Sequence, residues 1–546
     1  MPAPLTWDFP YPSQRMPVLA RNVVATTQPL AVQAGLHMLR QGGNAVDAAV
    51  ATAVSMTVLE PINNAVGSDA FTLIWHEGKV HGLNASGRAP RAMTPERFEG
   101  KKEVPRRGWD PVTVPGAVSA WAALSKRFGK LPFETLFEPA IGYAEEGYLV
   151  APHTAAGWAT SAKVFKEFPD WNKTWAPAGR APEPGERFVN PDLARTLRRI
   201  AETHGEALYR GDLAERIAAH AKATGGLMAL DDLASHQPEW VEPLHLDYRG
   251  LRLYEIPPNG QGMTTLMALG MLRQLNLGGL DVDCADVLHV QIEAMKLAFA
   301  DAKRYIADPK AMEVKPEQLL DPAYLARRAG SIDPMRARDP GPGGPPRGGT
   351  ILLCAADAAG TMVSHIQSNY EGFGSGIVIP GTGISMQNRG ACFRLEPGHP
   401  NRIAGGKRPY HTIIPAMATR PGDGGGGAGG KEVPVMAFGV MGGFMQPQGH
   451  LQVMCRVADF RQNPQAALDA PRWQVKRDVN VDAGLKVGIE PGFRPDVYDD
   501  LRRRGHDVEV AARRNNQFGA GQVIYKLDNG YAGASDPRGD GQAGGF

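Results

Sequence analysis

The stretch PPRGGTILLCAADAAG, residues 345–360, joins two unlike kinds of chain. Upstream, from Asp339 to Gly349, glycine and proline dominate and no apolar period is present. A single threonine, Thr350, follows, and an apolar run begins at once. TILLCAAD (350–357) and GTMVSHIQS (360–368) read as two strands joined by a tight turn. The junction admits three readings: a linker between domains, an ordinary surface loop, or a place where the chain is cut to make a new N-terminus.

The third reading has a chemical rationale. A threonine hydroxyl is a poor nucleophile unless a base sits beside it. A threonine at a chain start carries its own base, because an α-amine titrates at about 7.7–8.0, near the optimum for proton transfer at neutral pH. Gly349 lacks a Cβ and tolerates a strained backbone while the Thr350 hydroxyl attacks the preceding carbonyl. The loose upstream segment lets the severed end move away, and the strand from Ile351 holds the new terminus. On these grounds alone Thr350 is one threonine among many, and a loop is the simpler reading.

At roughly 150 residues per domain, 546 residues allow three or four domains, although one large layered α/β domain can absorb most of that length. The 59 basic and 57 acidic residues nearly cancel, which argues against nucleic acid or an anionic membrane as partner. Cys284, Cys354, Cys392 and Cys455 are far apart, with no CxxC spacing, and read as reduced buried thiols. The N-terminal stretch has no basic region followed by an apolar core. The longest apolar run, Ala48 to Leu59, is too short to span a bilayer. A soluble, cytoplasmic protein is expected.

Outward from the junction, helices dominate the front and strands the back. Leu30 to Arg40 is an amphipathic helix closed by Gly42-Gly43. Asn44 caps a second helix, apolar nearly all round and so buried, which Pro61 ends. AFTLIWHEGKVHGLNA (70–85) is a hairpin turning at Glu77-Gly78. Residues 115–330 are mainly helical, with a short strand and a polar loop, Pro257–Gly262, near YEIPPNGQG. After VPVMAFGVMGG (433–443) comes a helix from about Gln446 to Phe460, then a strand pair turning at Asn529-Gly530. Front helices and back strands must pack together to bury their apolar faces. GDGGGGAGG (422–430) is a low-complexity insertion.

Several chemistries lack their motifs. GxxxxGK[ST], HExxH and GxSxG are absent. GFGSG (372–376) lies among strands instead of opening a helix, so it is no dinucleotide fingerprint. The 14 histidines show no metal-ligand spacing, and His365 and His450 read as structural.

The order of motifs GGNAVDAAVATAVSMTVLEP (42–61), VTVPGAVSAWAALSKRFGKLPFETLFEPAIGYAEEGY (112–148), HVQIEAMKLAFADAKRYIADP (289–309), GFGSGIVIPGTGISMQNRG (372–390), KRPYHTIIPAM (407–417), GVMGGFMQPQGHLQ (439–452), LDAPRW (468–473) and ASDPRGDG (534–541) resembles the γ-glutamyltranspeptidase (glutathione hydrolase) family over nearly the whole chain. The resemblance implies an N-terminal-nucleophile hydrolase with a four-layer αββα fold. It implies a precursor that cuts itself between Gly349 and Thr350 into a large subunit, 1–349, mostly helical with a linker at 335–349, and a strand-rich catalytic small subunit, 350–546, which form one folded unit. An oligomer of such heterodimers is compatible with it. No metal or organic cofactor is implied; the partners are a small-molecule amide and water or an amino-acid acceptor.

Family roles carry over one residue at a time. The nucleophile falls on Thr350, its helper hydroxyl on Ser368, and the oxyanion hole on the backbone amides of Gly442-Gly443. The glutamyl-binding positions differ. The arginine for the α-carboxylate falls on Ser86, with Arg88 two residues away as a replacement. An asparagine falls on Tyr370, a glutamine on Arg389, the aspartate for the α-ammonium on Cys392, and the paired serines on His411-Thr412. Losing the aspartate and gaining Arg389 suits an acyl group with a carboxylate and no free amine, of oxamate or glutaryl type. The resemblance implies an amide hydrolase of glutathione hydrolase type; an amidohydrolase of the same family acting on such an amine-free acyl group and a non-catalytic binding protein on the same fold are the alternatives.

Overall fold

The computed structural model describes residues 11, 15–340, 349–422, 431–476 and 485–546, with the backbone alone for 349–351. The segment 341–348, most of the run at 422–430 and the Thr350 side chain lie outside the described residues.

Two seven-stranded sheets form the centre. In chain order their strands are β1 (Val18–Ala20), β2 (Val23–Thr26), β3 (Asp69–His76), β4 (Lys79–Asn84), β5 (Glu239–Val241), β6 (Leu244–Tyr248), β7 (Leu251–Glu255), β8 (Gly349–Ala356), β9 (Met362–Tyr370), β10 (Ala416–Pro421), β11 (Glu432–Met441), β12 (Ala520–Leu527), β13 (Gly530–Ser535) and β14 (Gln542–Gly545). The first sheet runs β14-β2-β8-β9-β3-β4-β5 and the second β1-β13-β12-β11-β10-β7-β6. Neighbours within both are antiparallel.

Side chains alternate across each strand, and the core clusters follow that alternation. Leu352, Cys354, Ala356, Met362 and Ile366 of the first sheet pack against Met417, Ala437, Met441 and Ile524 of the second. Leu353, Ala355 and Val363 point the other way, into a layer containing α1 (Pro29–Arg40) and α2 (Ala45–Leu59). On the far side of the second sheet lie α3 (Gly262–Leu272), α4 (Ala285–Tyr305) and α5 (Met445–Ala458). The order is helix, sheet, sheet, helix: the αββα sandwich.

Every residue of α2 is buried, as its uniform apolarity dictates, and Asn44 with Asp47 forms a reciprocal capping box at its start. Glu77 and Gly78 both take positive φ at the β3–β4 turn. The helix expected from Gln446 spans Met445–Ala458. The mainly helical reading of 115–330 needs one correction. Residues 239–255 form β5, β6 and β7, of which the sequence revealed only the last; β5 and β6 are short, and their exposed residues are Glu239, Trp240, His245 and Asp247.

Chain from either side of residue 349 is interleaved. β8 and β9 lie between β2 and β3, and β10 pairs with β7. Two separately folding domains joined by a linker are incompatible with that pairing.

Candidate active site

The backbone of Thr350 lies at the start of β8, where the ladder to β9 is irregular between Gly349 and Ile351. Gly349 stands opposite Tyr370. Ser368, fully buried on β9, stands opposite Asp69 of β3, and its Oγ accepts the Tyr370 amide at 2.8 Å. Tyr370 closes β9 with φ +80°, a left-handed conformation that costs a bulky residue about 1–3 kcal/mol and that only a well-fixed surround maintains.

Above Tyr370 lies the acyl-pocket candidate. Arg389, in a short 3-10 turn (Arg389–Cys392), is fully buried, and its Cζ sits 4.5 Å from the Tyr370 ring centroid. Nη1 donates to Thr412 Oγ1 at 2.6 Å. Arg389 Nε and Nη2, and Tyr370 Oη, make no well-formed hydrogen bond among the described residues. Leaving donors of a buried guanidinium unpaired is costly, so the arrangement is built to receive an acceptor. The Cys392 thiol lies beside both groups; burial pushes its pKa up and Arg389 opposes the rise.

His411 and Thr412 occupy the adjoining strand-like segment. His411 Nε2 donates to Asp69 Oδ2 at 3.0 Å, both side chains fully buried. Asp69 Oδ1 also accepts the Gly87 amide at 2.9 Å. Burial pushes Asp69 up to about 6, against the pull of Arg389. Burial, then Arg389 and Arg408, drive His411 well below the usual imidazole range, so it is neutral. Sequence reasoning passed over Asp69; the one signal was an ionisable residue opening an otherwise apolar strand.

Gly442 and Gly443 take φ of +129° and +61° immediately before α5. A Cβ on Gly442 would come within 3.2 Å of both Gly519 Cα and Met445 Cβ. Their carbonyls accept the Met445 and Gln446 amides at 3.0 and 3.2 Å, while neither glycine amide donates to an acceptor among the described residues. Gln261 links this turn to the pocket: its Nε2 donates to Gly443 O at 2.9 Å and to Thr412 O, and its Oε1 accepts Tyr410 Oη at 3.1 Å. The polar loop at 257–262 was legible, but the role of Gln261 was not.

Arg88 stands apart from this group. Its guanidinium donates to Asp308 Oδ2 at 3.1 Å and Glu239 Oε1 at 3.2 Å, beside a surface cavity also lined by Arg408 and Asp232. Ser86 Oγ donates to Asn84 Oδ1 at 2.7 Å within a buried cluster that includes Asn259.

His365 bonds Thr72 Oγ1 at 2.9 Å, and burial lowers it to about 4; His450 Nδ1 meets Glu255 Oε1 at 2.8 Å. Among the described residues two histidines do meet an acid in space. His289, Glu293 and His506 converge, which linear spacing concealed. Lys296 Nζ lies 2.8 Å from Glu293 Oε1 and 3.3 Å from His506 Nδ1, so an ammonium already supplies the positive charge there and the donor set does not suit a divalent cation.

The gamma-glutamyltranspeptidase family model matches residues 31–546. The chain belongs to that family. It is 38% identical over 538 residues to the oxamate amidohydrolase proenzyme of Klebsiella pneumoniae, covering 97% of this chain and 99% of the relative. It is 36% identical over 528 residues to the glutathione hydrolase-like YwrD proenzyme of Bacillus subtilis, covering 96% and 98%. Among solved structures, the cephalosporin acylase from Bacillus halodurans superposes with a TM-score of 0.92 at 49% identity, over 99% of both chains. The αββα sandwich is thus the family's N-terminal-nucleophile hydrolase fold. No helix among the described residues is long and apolar enough to cross a membrane.

Proposed function

We propose that this gamma-glutamyltranspeptidase-family chain cuts itself before Thr350 and that the mature protein hydrolyses the amide of an acid bearing a second carboxylate and no α-amine. The observation that carries the substrate class is Arg389: fully buried, stacked on Tyr370, with two donors unpaired among the described residues. A carboxylate accepts a bidentate pair from such a guanidinium. Cys392 stands where the resemblance expects the aspartate for an α-ammonium, so the carboxylate that would hold such a group is missing from that position. The relative from Klebsiella pneumoniae, an oxamate amidohydrolase proenzyme, is named for an amide of that class.

Self-cleavage starts with Thr350 Oγ attacking the Gly349 carbonyl. The peptide C–N bond breaks, an ester forms, and water hydrolyses it to a Gly349 carboxylate and a free Thr350 α-amine. In turnover that amine takes the hydroxyl proton as Oγ attacks the substrate carbonyl. The oxyanion is held by the Gly442 and Gly443 amides at the positive end of α5; such a donor contributes about 3 kcal/mol. Collapse expels the amine, which receives the proton, and leaves an acyl ester on Thr350. Water, deprotonated by the same α-amine, releases the acid. Ser368 orients Thr350.

The test pairs processing with turnover. Denaturing electrophoresis should give chains of 349 and 197 residues, the smaller beginning TILLCAAD. The matured protein should hydrolyse oxamate or glutaryl amides in preference to γ-glutamyl amides. An uncut active chain sinks the mechanism; dominant γ-glutamyl turnover sinks the substrate class.

A further inference from the structure

We propose that Asp69 is the internal counter-ion of the Arg389 pocket, so that a substrate carboxylate enters together with a proton, which the Asp69–His411 pair takes up. The proposal rests on the carboxylate reading of Arg389 above.

The geometry is a short, buried bridge. Asp69 Oδ2 accepts His411 Nε2–H at 3.0 Å; the main chain passes from His411 to Thr412; and Thr412 Oγ1 accepts Arg389 Nη1 at 2.6 Å. Asp69, His411, Thr412 and Arg389 are all fully buried. A carboxylate in such surroundings persists as an anion only beside a compensating cation.

The groups facing Asp69 can be taken element by element. On β9 its partner Ser368 is neutral. The chain at Gly87 offers an amide. The turn at 387–389 brings Gln387 and Arg389, and the segment 407–412 brings Arg408 and His411. The Tyr209 phenol is close enough to feel the carboxylate and, being raised far above its ordinary value, is neutral. The cations are therefore Arg389 and Arg408. Arg408 is already engaged, with Nη1 2.8 Å from Glu239 Oε2 and Nε donating to Ser86 O at 2.9 Å. Among the described residues Arg389 makes no ion pair with an acid, and Asp69 is the carboxylate whose charge it favours.

Asp69 titrates at about 6 in this arrangement, so it is mostly ionised at pH 7. A second carboxylate on the free edge of Arg389 divides one guanidinium between two anions and places a like charge near Asp69. Both effects favour the protonated pair. The proton comes from solvent, and no covalent bond to carbon changes. Because Asp69 and His411 are directly bonded, the proton belongs to the pair as a unit. Asp69 would thereby make pocket affinity depend on pH: acids and acyl groups with a carboxylate bind more tightly as the pH falls from 8 toward 6, whereas uncharged acyl groups do not.

The experiment is isothermal titration of glutarate and of oxalate into matured wild-type protein at pH 7, in two buffers with different ionisation enthalpies. The expected result is a buffer-dependent heat corresponding to about half to one proton taken up per site, and a Kd that falls about three- to tenfold per pH unit between 7.5 and 6. Asp69→Asn should bind with buffer-independent heat and a flat Kd. Carboxylate binding without proton uptake, or uptake that persists in Asp69→Asn, overturns the role of Asp69 and leaves the Arg389 pocket standing. Failure of both acids to bind the wild type overturns the carboxylate reading itself and the linkage with it. The wild-type titration decides the matter even where the variant does not fold.

Discussion

Gly349 lies directly across the β8–β9 ladder from Tyr370, the residue whose ring carries Arg389. The proposed scissile carbonyl and the proposed carboxylate anchor are thus one strand pairing and one aromatic ring apart.

From that relationship follows the first prediction. Thr350→Ala removes the only hydroxyl placed to attack Gly349 in the proposed reaction, so it should remain one chain of 546 residues and be inactive. Thr350→Ser keeps the oxygen and should cut, more slowly. Intact mass over a time course separates the two; a cut Thr350→Ala chain would reassign the nucleophile.

Arg389 should be a binding determinant rather than a structural one. Arg389→Met removes the partner of a buried substrate carboxylate, a loss of about 3–4 kcal/mol, or 10²–10³-fold in kcat/KM. Arg389→Lys keeps the charge but loses the bidentate fork and should fall in between. An uncharged acyl amide should lose little in either variant, and kcat/KM across such a substrate pair is the measurement. Equal losses on both substrates would count against a carboxylate anchor.

How much of this was legible in the chain depends on whether the signal is local. α2 could be read because all its positions are apolar and its cap is adjacent to it. Thr350, Ser368 and Gly442-Gly443 were named through the family resemblance, whose motifs are contiguous in the chain. Asp69 gave no such sign. It meets His411 342 positions later, and only the register of β3 with β9 and the path of 407–412 bring the two together. The same is true of Gln261 and Gly443, 182 positions apart, and of His289 and His506, 217 apart. Strands β5 and β6 escaped notice because short edge strands with exposed residues carry little apolar period.

The Gly442-Gly443 turn makes a kinetic prediction. Gly442 has φ +129° and close backbone neighbours, a conformation open essentially to glycine alone. Gly442→Ala should shift the amide from the oxyanion position and lower kcat about 10²–10³-fold with little change in KM. Gln261→Leu, which frees Gly443 O and Thr412 O from their shared donor, should produce a smaller loss of the same kind. A rise in KM with unchanged kcat would place the turn in ground-state binding instead.

The final prediction concerns stability and uses the buried relay on α4. Lys296 donates to Glu293 and to His506 Nδ1; His506 Nε2–H donates to His289 Nδ1 at 2.8 Å; His289 Nε2–H donates to Asp333 O at 2.7 Å. Glu293 Oε2 accepts the Arg338 amide at 3.0 Å, so the relay ties the backbone of 333–338 to α4 and to His506. Each imidazole must be neutral for the chain of donors to hold. Burial, then Lys296, His289 and Arg504, lower His506 to about 2, and burial also lowers His289. A histidine depressed in the folded state below its unfolded value of about 6.5 stabilises fully above 6.5, and that contribution is lost as the pH falls toward the folded value. Chemical denaturation should therefore show stability declining from about pH 6.5 into the acid range. Lys296→Met leaves Glu293 buried without its cation and should destabilise by about 3–5 kcal/mol at pH 7. Lys296→Met with Glu293→Gln should recover part of that loss, because the uncompensated charge is gone. A double variant no more stable than the single would mean that packing, not charge, sets the cost.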